Sequence, residues 1–216
     1  MVSIPKFHTK PTSDSHIAIC VPVRDQVTAV FSYSLAMLMK KCGETGQQVT
    51  LHMVMGSEVA MQRQQLVDEV LETSATHLLW IDADMKFPVD ALFSLLSHKV
   101  DIVGANYSTR VAPHRPVAFK SETNLDKRVF VGQGIESVFA VGSGLLLVNK
   151  CVYKDMSRPH YSVEWNNNHT ALVGEDIYFC KKAAQFGYTT HIDHALSDRI
   201  SHVGTREYTI KGDCYD

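Results

Sequence analysis

Short apolar runs alternate with helix-spaced apolar positions through the first half of this 216-residue chain. Four runs have the length and residue types of strands, and they cover residues 17–23, 49–55, 77–81 and 100–104. Between these runs, apolar residues recur every three or four positions, which predicts helices that place one face on a core. We expect Gly43 to end the first helix and Pro88 to open the third. Such alternation predicts a parallel sheet with right-handed crossovers.

The second half of the chain has a different predicted order of elements, because its strands follow one another without long helices between them. These runs cover residues 116–120, 128–132 and 138–148. We expect them to be antiparallel additions to the sheet. A late helix is predicted at 175–186, ended by Gly187, and a short strand at 188–192. The fold class is therefore predicted as α/β, with a mainly parallel central sheet flanked by helices and antiparallel strands in the second half. Residues 1–216 are expected to form a single domain, with 1–15 as a loose N-terminal arm.

The overall composition is that of an ordinary soluble protein, with 45% hydrophobic and 20% charged residues. A net charge of −2 provides no overall basic field that would indicate nucleic acid or a membrane surface as a partner. The first residues lack the apolar core of a signal peptide, and no apolar stretch approaches about 18 residues, so no membrane span is expected. The five cysteines form no C-x-x-C pair. This predicts free thiols and a cytoplasmic location, in the host cytoplasm if the protein is viral.

Two pairs of acidic residues carry the candidate chemistry. Asp82 and Asp84 directly follow the apolar run at 77–81, so they should lie at the carboxyl end of a buried strand, where open α/β sheets bind ligands. Their carboxylate oxygens suit Mg²⁺ or Mn²⁺, and these cations suit a ligand that carries phosphates. Glu175 and Asp176 begin the predicted late helix. This second pair also has a simpler explanation, because the helix dipole favours acids in a first turn.

The order of these features resembles that of the GT-A fold glycosyltransferases, in particular the small family 2-like enzymes of bacterial and phage type. The resemblance runs from residue 17 to residue 204 and is specific in three blocks. They are Leu-Trp-Ile-Asp-Ala-Asp-Met at 79–85, Val-Gly-Ser-Gly-Leu-Leu-Leu at 141–147, and Gly-Glu-Asp-Ile-Tyr-Phe-Cys-Lys-Lys-Ala-Ala-Gln-Phe-Gly-Tyr at 174–188. Proteins of that family hold a nucleotide-sugar donor through a divalent metal ion.

The resemblance implies a metal site and a catalytic acid. Asp84 would bind a Mn²⁺ or Mg²⁺ ion directly, and His202 would match the late histidine that completes the metal shell in many members. Asp82 would contact the metal, the ribose or the sugar. Asp176 would match the general base of inverting members, with Glu175 beside it as the second catalytic candidate.

Several further positions match residues that line the donor in the family. They are Pro22, Arg24 and Asp25 near the nucleotide base, Arg63 near the nucleotide, and Gly142, Ser143 and Gly144 near the sugar. In the glycine-containing turn, absent side chains would let a ligand approach the backbone closely. The acid that usually follows the second strand and binds the base has no obvious counterpart at 54–57. The nucleotide therefore stays open between UDP and GDP.

A polar, asparagine-rich segment at 161–173 leads into the late helix and contains one large aromatic residue, Trp165. Three consecutive asparagines favour a loop over either regular element. We expect a mobile lid, with Trp165 stacking on an acceptor sugar or base. The alternative is that Trp165 only covers a neighbouring apolar patch.

Together with this resemblance, the sequence predicts a metal-dependent glycosyltransferase that moves a sugar from a UDP- or GDP-sugar donor to a hydroxyl acceptor. Inversion is favoured, and retention stays open because inverting and retaining members of the family share the same metal frame. The acceptor could be a glycan, a lipid carrier, a protein or a modified nucleic-acid base. Two alternatives remain: a metal-dependent phosphohydrolase of nucleotide sugars, and a non-catalytic module that binds nucleotide sugars or nucleic acid. The basic residues that would support nucleic-acid binding are Arg110, His114, Arg115 and Lys120.

Overall fold

The computed structural model of the chain describes residues 15–110, 112–122, 124–166, 169–204, 207–208 and 210. Of the N-terminal arm predicted at 1–15, only Ser15 lies inside the described residues. Within the described part of the chain, no helix combines the length and the apolar content needed to cross a membrane.

Strands and helices alternate along the chain up to residue 104, except that the two-residue strand β4 directly follows β3, and the later elements are mostly short. The strands are β1 (His16–Val23), β2 (Gln48–Met55), β3 (His77–Ile81), β4 (Met85–Lys86), β5 (Ile102–Gly104), β6 (Ile135–Val138), β7 (Leu145–Asn149), β8 (Glu164–Trp165), β9 (Leu172–Val173), β10 (Thr190–Asp193), β11 (Ser201–Val203) and β12 (Glu207–Tyr208). The helices are α1 (Ala29–Thr45), α2 (Val59–Leu71), α3 (Ala91–Ser97), α4 (Lys150–Asp155), α5 (Glu175–Gln185) and α6 (His194–Ser197).

A seven-stranded sheet forms the centre of the fold, with the strand order β2-β1-β3-β7-β5-β10-β6. Strands β1, β2 and β3 are mutually parallel, and so are β5 and β10, whereas β7 and β6 run antiparallel to their neighbours. Two smaller antiparallel sheets join β4 to β11 and β12, and β8 to β9. The predicted fold class is confirmed, including the antiparallel strands in the second half.

The central strands are buried on both faces because alternate residues enter two different cores. In β3, Leu78 and Trp80 join one core, while Leu79 and Ile81 join the other. Helices α2, α4 and α5 cover the first core, and helices α1 and α3 cover the second. This double coverage explains why the strand reads as a continuous apolar run in the sequence. It also places α2 and α5 on the same face of the sheet.

Some predicted strands are wrong where the chain leaves the sheet. Segments 116–120 and 128–132 take part in isolated bridges and are not strands. The run at 138–148 is divided between β6 at the sheet edge and β7 between β3 and β5. Residues 140–148 are buried throughout, whether they belong to a strand or to the turn. An apolar run therefore cannot reveal where one strand ends and the next begins.

The first helix is longer than its sequence predicts. α1 continues through Gly43 to Thr45, and Gly46 ends it with a left-handed φ of 71°. Lys40 and Glu44 form an ion pair across one helical turn, which supports the helix beyond the expected end. The assignment of Gly43 as the helix-ending glycine is therefore wrong by one turn.

Alanine substitutions at these two glycines should have opposite effects on stability. Gly43→Ala should raise the free energy of unfolding by about 1 kcal/mol, because a β-carbon there has open space and alanine loses less backbone freedom in a helix. Gly46→Ala should lower it by about 1–2 kcal/mol, because a β-carbon strains the left-handed conformation. Urea unfolding followed by circular dichroism measures both changes. Effects of the same sign would contradict this helix end.

Candidate active site

Asp82 and Asp84 follow β3 at the edge of the sheet where the carboxyl ends of β1, β2 and β3 meet. The N–H group of Asp82 donates to the carbonyl of Gly144 at 3.0 Å. The carbonyl of Ala83, between the two aspartates, accepts from the N–H group of Thr28 at 3.1 Å. These bonds attach the aspartates to the loops after β1 and before β7. The pair thus lies where open α/β sheets hold their ligands.

Arg63, on α2, is the counter-charge of Asp82. Its Nη2 donates to Asp82 Oδ1 at 2.7 Å, and its Nε donates to Glu175 Oε1 at 3.2 Å. The arginine is only 2% exposed. Burial opposes its charged form, but the two carboxylates outweigh that effect and hold the pKa of Arg63 above its usual value. One buried guanidinium therefore connects the end of β3 to both α2 and α5.

An aromatic cluster fixes the position of Arg63. The guanidinium carbon lies 5.3 Å from the ring centroid of Trp80 and 6.0 Å from that of Tyr161. Trp80 Nε1 donates to Tyr153 Oη at 2.7 Å, and Tyr153 Oη lies 2.8 Å from Tyr161 Oη. The Nη1 group of Arg63 is buried and has no hydrogen-bond partner among the described residues. The candidate site therefore contains a buried guanidinium nitrogen, Arg63 Nη1, whose N–H groups could donate to a bound ligand.

Asp176, at the start of α5, stays protonated to a higher pH than an ordinary aspartate. Burial and the negative charge of Glu175 raise the pKa of Asp176 to about 6, against the opposing effects of the Ile177 N–H group and Arg63. Asp176 Oδ1 accepts from that N–H group at 2.7 Å. A β-carbon at Gly174 would lie 2.9 Å from Oδ1, so this carboxylate depends on the glycine before it. A carboxylate that titrates near pH 6 is well matched to general-base work at neutral pH.

His202 meets Asp84 because a small sheet joins two distant parts of the chain. Strand β11 pairs with β4, and His202 lies opposite Met85. The N–H group of Val203 donates to the carbonyl of Asp84 at 2.7 Å. His202 Nε2 lies 3.2 Å from Asp84 Oδ1. The two residues that the resemblance assigns to one metal ion are therefore neighbours in space.

The hydrogen-bond surroundings of His202 suit a cation at this point. Nδ1 lies 3.3 Å from the carbonyl oxygen of Ser108, which can only accept a hydrogen bond. In a neutral ring, Nε2 would then direct a lone pair at the carboxylate of Asp84, which is also an acceptor. That lone pair is then free to bind a cation together with Asp84, whereas a ring with its proton on Nε2 donates to Asp84 instead. A metal-ligating histidine whose second nitrogen donates to a carbonyl has this arrangement.

The described residues offer two candidate ligands here rather than a complete metal cage. Across the described ranges, no group of three or more His, Cys, Asp and Glu side chains is placed to hold one metal ion. The Oδ1 atom of Asp82 is already bound by Arg63. Asp84 and His202 would fit Mn²⁺ or Mg²⁺ whose other ligands are phosphate oxygens and water. Burial alone would raise the pKa of Asp84, but His202 and Arg110 outweigh it and lower that pKa.

The turn at 142–144 is closely approached by Tyr107, a residue that the sequence analysis does not single out. The N–H group of Gly144 donates to Tyr107 Oη at 3.0 Å. A β-carbon on either glycine of the turn would lie 2.5 or 2.6 Å from that oxygen. Burial and the charges of Asp82 and Asp176 hold the pKa of Tyr107 well above its usual value, so the phenol stays neutral. The glycines make room for this tyrosine, and their role at a donor sugar stays a prediction.

The remaining donor candidates differ in exposure. Arg24 and Asp25 lie in an exposed turn after β1. Pro22 is buried within β1, opposite Val54 of β2, and is not part of the loop. Ser143 is 1% exposed, and among the described residues its Oγ atom has no hydrogen-bond partner. Contacts of these residues with a nucleotide sugar stay predictions.

Trp165 lies on a short hairpin, where β8 pairs with β9, and not in the uninterrupted loop that the asparagines predict. Trp165 is 56% exposed, and Leu172, directly opposite, is 60% exposed. Lys181 of α5 lies 3.2 Å from Glu164 and 3.4 Å from Glu122, so it connects this hairpin to the helix that begins with the candidate base. Movement of the hairpin as a lid stays a prediction.

The basic stretch that would support nucleic-acid binding is largely neutralised by nearby carboxylates. The ion pairs are Arg110 with Asp84 at 2.7 Å, Arg115 with Asp126 at 3.3 Å, and Lys120 with Glu136 at 3.4 Å. Paired charges provide less attraction for a polyanion than the sequence alone suggests. The first of these pairs lies inside the candidate active site, a position that the spacing of the basic residues does not indicate.

No known protein family matches this chain, and no curated protein sequence matches it. Solved structures do resemble it. The crystal structure of A197 from STIV has a TM-score of 0.64 at 16% sequence identity, over 92% of this chain and 92% of that chain. The structure of the inositol-1-phosphate CTP transferase from T. maritima has a TM-score of 0.46 at 15% identity, over 83% of this chain and 85% of that chain. The similarity to A197 shows a common fold and no more.

Asp176→Asn should stabilise the protein at neutral pH. The carboxyl group has a raised pKa in the folded state, so its contribution to stability is present below about pH 4 and is lost as the pH rises through about 6. Removing the ionisable group should therefore add about 2 kcal/mol to the free energy of unfolding at pH 7 and almost nothing below pH 4. Urea unfolding at a series of pH values measures this difference.

The matched control is Asp193→Asn, at another buried aspartate. Burial opposes the ionised form of Asp193, but the hydrogen bonds from His98, from Ser94 and from the Leu196 N–H group outweigh it and lower its pKa. This variant should lose stability at pH 7 and recover towards the parent as the pH falls below about 4. If both substitutions destabilise the protein at pH 7, the pKa of Asp176 is not raised in the folded state.

Proposed function

We propose that this protein is a metal-dependent glycosyltransferase that moves a sugar from a UDP- or GDP-sugar to a hydroxyl acceptor with inversion. One juxtaposition carries the proposal: a carboxylate–imidazole pair suited to a cation lies at the same sheet edge as a separate carboxylate with a raised pKa. The pair is Asp84 with His202, and the separate carboxylate is Asp176. Arg63 connects them through Asp82 and Glu175.

The proposed cation side of the site serves the leaving group. Asp84 and His202 would hold the Mn²⁺ or Mg²⁺ ion, which when bound supplies positive charge beside a diphosphate. Arg63 adds a permanent charge whose Nη1 group has no partner among the described residues. Sugar transfer breaks a bond to the diphosphate, so negative charge grows on its oxygens. Positive groups held in place before the reaction stabilise that charge without rearranging.

The proposed base side of the site serves the acceptor. A hydroxyl group must lose its proton as it attacks, and Asp176 would accept that proton. Glu175 is less suited to this role because its Oε1 atom accepts from Arg63. We therefore assign proton transfer to Asp176 and the positioning of Arg63 to Glu175. The exposed ring of Trp165, on the hairpin that precedes α5, would stack on the acceptor, whether a glycan, a lipid carrier, a protein or a modified nucleic-acid base.

A thermal-shift screen tests the proposed donor. UDP- and GDP-sugars are added with and without Mn²⁺, and the true donor should raise the Tm by binding only the folded state. Asp84→Ala should abolish the Mn²⁺-dependent part of the shift, because a carboxylate offsets the charge of the cation. The matched control is Asp90→Ala, a surface aspartate paired with Arg199, which should keep the shift.

The products of the selected donor separate this proposal from its alternatives. Transfer to an added sugar, lipid or protein acceptor supports the glycosyltransferase. Release of free sugar or phosphate at the same rate without an acceptor indicates the phosphohydrolase. Tight binding with no product in either assay indicates a binding module.

The pH dependence of kcat/KM tests the proposed base. A base acts only when it is deprotonated, so kcat/KM should rise with pH through about 6 and then level off. Asp176→Asn should reduce transfer by roughly 10²-fold or more and leave donor binding unchanged. A variant that transfers at the parental rate would show that Asp176 is only a helix-terminal acid.

A further inference from the structure

The two aspartates at the end of β3 are each paired with an arginine, but one arginine is buried and the other is half exposed. Asp82 is paired with Arg63, whose side chain is 2% exposed and is also held by Glu175. Asp84 is paired with Arg110, whose side chain is 48% exposed. A buried guanidinium with two carboxylate partners is a permanent part of the fold, whereas a guanidinium that is half exposed keeps much of its contact with water, so its ion pair contributes less stability and exchanges more easily. Only the second pair has the properties of a replaceable counter-ion.

Both carboxylate oxygens of Asp84 are already engaged. Arg110 Nη1 lies 2.7 Å from Oδ2, and His202 Nε2 lies 3.2 Å from Oδ1. A divalent cation at this carboxylate would stand close to the guanidinium, and two positive charges so near each other repel strongly in a half-buried site. Metal binding at Asp84 and the ion pair with Arg110 therefore oppose each other.

The backbone beside Arg110 is anchored, although its side chain is exposed. The N–H group of Thr109 donates to the carbonyl of Arg115 at 2.9 Å, and the N–H group of Arg115 donates to Thr109 Oγ1 at 3.1 Å. The side chain of Asn106 is fully buried, and its Oδ1 atom accepts from the N–H groups of Val117 and Ala118. These bonds hold together the two ends of the segment that contains Arg110. Arg110 can therefore leave Asp84 by side-chain rotation while its backbone stays beside the site.

We infer that Arg110 is an exchangeable counter-ion of Asp84, which is displaced when a divalent cation binds and then pairs with the diphosphate of the nucleotide donor. The inference rests on the proposed function for the identity of that ligand. The guanidinium fork matches two phosphate oxygens as well as it matches a carboxylate. Arg110 thus neutralises Asp84 in the ligand-free protein and adds positive charge to the leaving group once donor and cation are bound.

Two binding measurements on Arg110→Gln test the inference without any assay of sugar transfer. The first is Mn²⁺ binding alone, followed by the electron paramagnetic resonance signal of the free ion. The second is binding of UDP and of GDP at saturating Mn²⁺, followed by calorimetry. Arg110→Gln should bind Mn²⁺ about 2- to 5-fold more tightly, because the competing charge is gone. It should bind the preferred nucleoside diphosphate about 10-fold more weakly.

Arg115→Gln is the matched control, because Arg115 has 49% side-chain exposure on the same segment but pairs with Asp126. It should leave both affinities unchanged. If Arg110 had a purely structural role, its replacement would change the affinities for Mn²⁺ and for the nucleoside diphosphate in the same direction, or would change neither. Equal Mn²⁺ affinity in parent and Arg110→Gln, or no Mn²⁺ binding to either, overturns the inference.

The two binding measurements, taken together with the product assay described for the proposed function, distinguish failure of the inference from failure of the proposed function. If Arg110→Gln binds Mn²⁺ more tightly but binds the nucleoside diphosphate as the parent does, then Arg110 does not pair with the donor after the cation binds, and that part of the inference is overturned. If the opposite shifts are observed but no acceptor receives a sugar, the exchange of Arg110 stands and the glycosyltransferase proposal falls.

Discussion

The buried guanidinium of Arg63 is the constraint on which the rest of this site depends. A charge removed from water at this depth is costly, and Asp82 and Glu175 are the groups that compensate for it. Because these two acids come from the end of β3 and the start of α5, the pairing sets where the two elements meet. Loss of either carboxylate would leave a buried charge undercompensated. The arrangement of the site and the stability of the fold are therefore coupled through one side chain.

The carboxylates of the candidate active site have different acidities because their surroundings differ. Burial and a neighbouring negative charge raise the pKa of Asp176, whereas His202 and Arg110 lower that of Asp84. One group is thus suited to accept a proton and the other to stay ionised beside a cation. The same residue type serves two purposes because the fold supplies two electrostatic environments.

Much of the architecture could be predicted from local patterns. The strand before Asp82 is apolar from Leu78 to Ile81 because helices cover both faces of the sheet, and that burial appears directly as an apolar run. The pairing of Asp84 with His202 could be predicted only through resemblance to a family, since β4 and β11 are too short to show a periodicity. Tyr107 and Arg110 carry no local signal. Their roles come from what lies opposite them, namely the turn at 142–144 and the carboxylate of Asp84.

The sequence by itself determined the α/β class, the mainly parallel sheet and the position of the two aspartates at the end of a buried strand. These features follow from periodicity and burial, which act on neighbouring residues and are therefore visible along the chain. Only the tertiary structure decided that Asp82 pairs with a buried arginine and Asp84 with a half-exposed one. The physical reason is that electrostatic partners are chosen by distance in space. Arg63, Arg110 and His202 reach the aspartates from a helix, a loop and a strand that are far apart along the chain, and no local pattern encodes their approach.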